Sequence, residues 1–305
     1  MLIGHQKQWQ YLKKLAELDK LAHAYLFCGQ EKLGKKTIAV EFAKWLFKED
    51  VIKRQHPDFI FIEPEKKEIQ ISQIRECIWR LGLKPSVAPF KIAIIDEAHC
   101  LNQEAQNSLL KTLEEPRGKT LIFLVTEYPE RLFPTIISRC QILKFYSVPK
   151  EEIERYLVDE LRSSPPFAAA RVRKQNILES EIKQIVEISE GQPGRALDFM
   201  SDPQKLKTQK TVISELISMS NSDLAFRFQY AKNLTGEFQN LKDTLDIWLR
   251  HFRKVLISSV NGVSQRGYSL NKLRDIIKLI QETNFLISTT NVNPRLALEI
   301  LMMEL

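Results

Sequence analysis

Two alternating patterns of apolar residues run through the first half of the chain. Short unbroken runs at Ala24–Cys28, Phe59–Ile62, Lys91–Ile95 and Leu121–Val125 are apolar at almost every position. That is the signature of strands buried on both faces of a parallel sheet. Gln141–Phe145 predicts a weaker fifth strand. Between the runs, Ile38, Phe42 and Leu46 recur at helical spacing with Ala39 and Ala43 beside them. Ile71, Ile74, Ile78 and Leu81 draw a second helix face, and Ala105, Leu109, Leu110 and Leu113 a third that ends near Pro116 and Gly118. Strands alternating with helices predict an α/β domain: a five-stranded parallel sheet with helices on both faces.

After Pro149 the strand pattern stops. Ile153–Leu161, Ile182–Ile188, Lys210–Met219, Leu241–Ser259 and Leu270–Leu286 all read as helices. Ser163-Ser-Pro-Pro marks a break, and Ser201-Asp-Pro a domain boundary. The expected organisation is an α/β domain over residues 1–147, a small helical domain over 148–204 and an all-α domain over 205–305. In the last of these, Trp248, Leu249, Phe252 and Leu256 form an apolar stripe flanked by Arg250, Arg253 and Lys254. Large apolar residues at helical spacing read as core or subunit interface rather than as a DNA-contacting face.

Composition narrows the function classes. The 305 residues are 44% hydrophobic and 9% aromatic, which excludes a disordered chain. A net charge of +7 permits work near nucleic acid but is weak for a dedicated, autonomous DNA-binding module. The longest apolar runs fall far short of the ~20 residues of a membrane span. The start Met1-Leu-Ile-Gly-His lacks the apolar stretch of a secretion signal. Cys28, Cys77, Cys100 and Cys140 are too scattered for a metal clamp, so a cytoplasmic protein with free thiols is expected.

Two motifs carry chemistry. Gly29-Gln-Glu-Lys-Leu-Gly34-Lys35-Lys36-Thr37 lies between the first strand and its helix and matches a phosphate-binding loop except at its last position. Its glycines let backbone N–H groups turn toward phosphate oxygens, the helix start adds a favourable dipole, and Lys35 reaches the outer phosphates. The hydroxyl that should hold Mg²⁺ is replaced by Lys36, whose ammonium only donates. Thr37 comes one residue too late. The second motif, Lys91-Ile-Ala-Ile-Ile-Asp96-Glu97-Ala-His99, is an apolar strand ending in two acids. In nucleotide hydrolases the first such acid orients Mg²⁺ and the second activates water. His99 reads as structural.

The segment from Ile94 through Asp96, Glu97 and His99 to Leu113-Glu-Glu-Pro116 closely resembles the clamp-loader branch of the AAA+ ATPases, as does Leu124-Val-Thr126 through Ser138-Arg139-Cys140. His23-Ala-Tyr-Leu-Phe, His56-Pro-Asp-Phe, Ile69-Gln-Ile-Ser-Gln-Ile-Arg75, Gly191-Gln-Pro-Gly-Arg195-Ala-Leu197 and Asn291-Val-Asn-Pro-Arg-Leu-Ala-Leu-Glu299 belong to the same pattern, so the resemblance covers nearly the whole chain. It implies a nucleotide-binding core, a helical lid and a helical collar that joins five subunits in a ring. The implied partners are gamma/tau and delta subunits, the sliding clamp, and primer-template DNA reached through the complex. The implied enzyme is the DNA-directed DNA polymerase holoenzyme rather than this chain alone.

The resemblance makes Arg139 an arginine finger acting on the ATP of a neighbouring subunit. Thr126 matches the first sensor position and Arg195 the second. The implied, degenerate nucleotide site is Gly29, Gly34, Lys35, Thr37, Asp96, Glu97, Thr126 and Arg195, able to bind ATP or ADP with Mg²⁺ ligation in doubt. Many family members carry four zinc-binding cysteines where this chain has Phe47-Lys-Glu-Asp-Val-Ile-Lys-Arg-Gln55, so no zinc module is expected. Lys36, and the lack of a long C-terminal extension, argue for a subunit that hydrolyses little itself. The alternative is an active motor of the gamma/tau type.

Overall fold

The computed structural model describes residues 2–48, 56–65, 67–116, 118–163, 179–220, 222–236, 238–260, 268–289 and 292–305. The Ser-Pro-Pro part of the break after Ser163, and all but the first two residues of the interval Phe47–Gln55, lie outside them. The chain divides into two compact units, Met1–Ser201 and Asp202–Leu305.

The first unit is built on β1 (Ala24–Cys28), β2 (Phe59–Ile62), β3 (Lys91–Ile95), β4 (Thr120–Thr126) and β5 (Gln141–Lys144). They form one sheet in the order β2-β3-β4-β1-β5, and every pairing is parallel. Every residue of β1, β3 and β4 is buried, which is why these strands read as unbroken apolar runs. Side chains alternate between the faces. Leu26, Ala93, Ile95, Ile122 and Leu124 pack on one side against Ile74 and Leu81 of α3 (Ile71–Gly82) and Leu109 and Leu113 of α4 (Gln103–Glu114). Tyr25, Phe27, Ile92, Ile94 and Phe123 face the other side, against Leu12 of α1 (Gln6–Glu17) and Ile38 and Phe42 of α2 (Lys35–Phe47). The short α5 (Pro134–Ile137) precedes β5, and α6 (Lys150–Ser163), α7 (Glu179–Ser189) and α8 (Pro193–Ser201) complete the unit.

The sequence pattern leaves α1 unmarked because only Leu12 in it is buried, among Gln and Lys residues. Two side-chain hydrogen bonds tie this helix to β5. Gln8 Nε2 donates to Lys144 O at 2.9 Å, and Gln141 Nε2 donates to the Tyr11 hydroxyl.

The polar start of β3 has a physical cause. Asp58, just before β2, is fully buried and accepts the backbone N–H groups of Ser86, Val87 and Ala88 at 2.8–3.0 Å. Lys91, itself buried, pairs with it at 3.4 Å. Burial alone would raise the Asp58 carboxyl, but the donors of Val87, Ala88, Ser86 and Lys91 outweigh it and hold the pKa at about 2.

The second unit contains α9 (Pro203–Ser220), α10 (Leu224–Leu234), α11 (Phe238–Val260), α12 (Leu270–Thr289) and α13 (Pro294–Glu304). Trp248, Leu249 and Phe252 of α11 are buried against Leu273, Ile276 and Ile280 of α12 and Leu298 and Leu301 of α13, so the apolar stripe is core of its own unit. Arg227 of α10 ties two helix ends together, donating to Ser220 O at the end of α9, to Ser222 O just beyond it and to Met302 O in α13. A planar guanidinium suits three carbonyl partners where a lysine would not. Neither α10 nor α13 stands out in the sequence. Among the described residues, no helix is long and apolar enough to cross a membrane.

The depressed pKa gives Asp58 a pH signature. Its stabilisation is complete above the ordinary carboxyl value of 3.8 and is lost as pH falls through about 2. It amounts to about 2 kcal/mol. Asp58→Asn is expected to melt lower at neutral pH and to lose part of the wild-type acid sensitivity between pH 4 and pH 2, as measured by thermal unfolding across that range.

Candidate functional site

The loop from Gly29 to Gly34 leaves the buried end of β1 and enters α2 at Lys35. Gly34 caps that helix at φ +92°, a left-handed conformation that glycine adopts without strain. Gly29 is required for a different reason. A Cβ there would stand 2.5 Å from Phe145 O, because the chain leaving β5 presses on the loop and Phe145 N donates to Cys28 O at 2.7 Å. Lys35 is buried, and its ammonium donates to Gly29 O at 2.7 Å and to Gln30 O. Burial lowers its pKa. The loop carbonyls thus hold the cation in the place from which it would reach a phosphate.

Lys36 does something the motif does not anticipate. Its Nζ lies 3.1 Å from Asp96 Oδ2 and 3.4 Å from Glu63 Oε2, with the Phe61 ring 4.6 Å away. Burial would lower its pKa, but Asp96 and Glu63 together raise it, so the group is firmly cationic. The two acids meet because β2 and β3 are neighbours in register, Ile62 beside Ile95, and each acid follows its strand directly. Glu63 and Phe61 are therefore part of the site, although in sequence Glu63 is only an acid before Pro64.

Asp96 is mostly buried, whereas Glu97 is exposed, in a left-handed conformation at φ +48°. Thr126, at the end of β4, is 1% exposed; its hydroxyl accepts from Tyr128 N at 3.0 Å and lies 3.3 Å from His99 Nδ1. His99, given no role by the sequence, thus connects the ends of β3 and β4. Thr37 is exposed on α2.

The helical segment after Glu190 bonds to the phosphate loop. Gly194 N donates to Lys32 O at 2.9 Å, Gln192 Nε2 to Gln30 Oε1 at 3.1 Å, and Lys32 pairs with Asp198 at 3.0 Å. Arg195 is buried beside these contacts, its guanidinium 5.4 Å from the Phe199 ring and bonded to Gln192 Oε1. Arg139 stands apart. Its partners are Glu114 Oε1 at 2.6 Å, Thr135 O at 2.8 Å and Ser138 Oγ at 3.4 Å, and its side chain is about one-third exposed. None of them belongs to the phosphate-loop group.

Gly29, Gly34, Lys35, Asp96, Thr126 and Arg195 accordingly gather around one loop, with Lys36 and Glu63 added. The set does not fit Mg²⁺: the position that should offer an oxygen offers an ammonium, and that ammonium already bonds the acid that would orient the metal. None of the four cysteines forms a disulfide; Cys28, Cys77 and Cys100 are buried and Cys140 half-buried, and burial pushes the Cys77 and Cys140 thiols up to about 12.

The family described as DNA polymerase III, delta subunit, matches residues 4–149. The Bacillus subtilis DNA polymerase III subunit delta' is 31% identical over 217 residues, covering 61% of this chain and 65% of that relative. The Pseudomonas aeruginosa delta' is 27% identical over 318 residues, covering 93% and 91%. The Haemophilus influenzae tau/gamma subunit is 32% identical over 165 residues, covering 49% of this chain and 24% of its own length. Among solved structures, a DNA polymerase III gamma subunit-related protein of Thermotoga maritima superposes with a TM-score of 0.52 at 19% identity, covering 96% and 97% of the two chains. A RuvB variant of the same organism gives 0.51 at 16% identity, covering 96% and 91%. These two likenesses establish the fold alone.

The two loop glycines should respond differently to alanine. At Gly34 the added Cβ meets nothing within 4 Å, so Gly34→Ala costs only backbone strain, about 1–2 kcal/mol. Gly29→Ala drives a Cβ into a backbone carbonyl and should cost a further 1–3 kcal/mol or so. Urea unfolding of both variants is expected to show the larger loss for Gly29→Ala.

Proposed function

The chain belongs to the clamp-loader family of DNA polymerase III, on its delta prime side, and from that premise we propose that it is a delta prime-type subunit that hydrolyses little ATP itself and acts on a neighbour's. The observation that carries this reading is the Lys36–Asp96 ion pair at 3.1 Å, which puts a fixed ammonium where a hydrolysing site needs a hydroxyl and a metal. Arg139 fits the complementary role. It is partly exposed, always charged, and separate from its own chain's phosphate loop, as a group destined for another subunit's nucleotide must be. Its partner Glu114 then holds it until a neighbour's phosphates compete for the guanidinium.

In this reading the chain assembles with gamma/tau and delta subunits in a five-membered ring that opens the sliding clamp and closes it on primed DNA. The second unit supports such an interface. Leu296, Ile300 and Met303 recur at helical spacing along α13 and are each more than half exposed. No bound zinc belongs to this reading, and elemental analysis of the purified chain is expected to find no stoichiometric metal. An active motor of the gamma/tau type is disfavoured by Lys36.

Reconstitution with gamma/tau and delta, followed by steady-state ATPase and clamp-loading assays, tests the proposal. The isolated chain should show near-background turnover. Arg139→Ala should leave assembly intact while slowing ATP hydrolysis at the affected site by one or more orders of magnitude, since arginine fingers supply about 10³–10⁵ in rate. Arg139→Lys should not rescue it, because a point charge lacks the planar fork of donors. Robust ATPase activity of the chain alone would overturn the reading, as would an Arg139→Ala complex that is less stable yet fully active.

A further inference from the structure

We propose that this site binds ATP or ADP without a divalent cation, the Lys36 ammonium standing where the metal would. The inference rests on reading the loop as a nucleotide site and goes beyond it by naming the charge state of the ligand. Lys36 is anchored at two carboxylates, Asp96 at 3.1 Å and Glu63 at 3.4 Å, at the ends of adjacent strands. An ammonium has three donors, and these acids account for two of them. The remaining donor can be given to a phosphate oxygen, so a single tethered cation links acid to phosphate as a bound metal ion does elsewhere.

A metal complex would meet opposition. Mg²⁺ needs oxygen ligands in a nearly octahedral shell, and a lysine amine held in its charged form provides none. Seating the ion beside Asp96 would place a divalent charge next to the ammonium, and like charges in one site disfavour each other. Metal-free nucleotide carries more negative charge than its Mg²⁺ complex. That extra charge suits a site with Lys36 fixed at its edge, Lys35 buried at its base and Arg195 buried nearby. The rest of the receptor is already built. The loop accepts contacts from Gln192 and Gly194, and Lys35 can exchange its two carbonyl partners for phosphate oxygens without moving to a new place in the fold.

Calorimetric titration of the full chain with ATP, once in excess EDTA and once in excess Mg²⁺, tests the assignment. The wild-type Kd is expected to be at least about tenfold tighter in EDTA than in Mg²⁺, because excess Mg²⁺ depletes the metal-free nucleotide the site takes. Lys36→Thr restores the hydroxyl and releases Asp96, and should bind at least about tenfold more tightly in Mg²⁺ than in EDTA. Lys36→Met lacks both devices and should bind weakly in either condition. Circular dichroism establishes that each variant is folded. Wild-type binding that is equal in the two conditions or requires Mg²⁺, no binding in either condition, or a Lys36→Thr chain that gains no preference for Mg²⁺ would each overturn the proposal. The outcome is separable from the clamp-loader reading. A chain that binds no nucleotide yet supports Arg139-dependent ATPase activity in the reconstituted ring would sink only this inference. Metal-free binding without assembly would sink only the other.

Discussion

Everything at the candidate site depends on five strands running the same way. A parallel sheet opens all its carboxyl ends on one edge, and the order β2-β3-β4-β1-β5 sets what meets there: Glu63, Asp96, Thr126 and Gly29, with Phe145 beyond. Neighbouring strands lie ~4.8 Å apart, so residues distant in sequence arrive within reach of one lysine side chain. The register keeps them level, with Ile62 beside Ile95 and Cys28 beside Thr126. Ligands of open α/β sheets bind at this edge for the same reason. What distinguishes this molecule is the charge it places there rather than the frame.

Replacing a hydroxyl by an ammonium changes more than one ligand. A hydroxyl is neutral and works only by recruiting a metal from solution, whereas an ammonium brings its own charge and is permanently attached. The chain thereby exchanges an adjustable cation for a fixed one. A metal ion polarises a phosphate and can be lost with the product, while Lys36 must remain on α2 throughout. On the proposed reading this favours holding over turning over, and it leaves Arg139, paired with Glu114 at the end of α4, as the group proposed for chemistry outside its own loop.

The strands were legible because burial on both faces writes an unbroken apolar run, and observed ends differ from expectation by a residue or so: Thr120 and Thr126 extend β4, and Phe145 drops out of β5. The phosphate loop and the paired acids were legible from spacing next to those strands. Helices α1, α10 and α13 were not, since α1 and α10 each bury a single residue and so leave a faint stripe. Nor were the contacts that give the site its character. Glu63 matters only because β2 happens to lie beside β3, and Gln30 meets Gln192 across 162 positions of chain. His99 and Glu114 likewise gain their roles from partners, Thr126 and Arg139, that only the fold brings near. Local pattern records burial and spacing. Which strand ends become neighbours is a property of topology.

One of the helices that the sequence pattern missed, α1, bears on the edge of the sheet. β5 is an edge strand of four residues with Ile142 substantially exposed, and an uncovered edge is a template for pairing with another chain. Two hydrogen bonds tie α1 to it, Gln8 donating to the Lys144 carbonyl and Gln141 to the Tyr11 hydroxyl. Gln8 thereby occupies one outward-facing carbonyl of that edge, while Leu12 of the same helix packs in the core. A chain clipped within α1 would uncover that carbonyl and leave the edge more open to pairing with another strand.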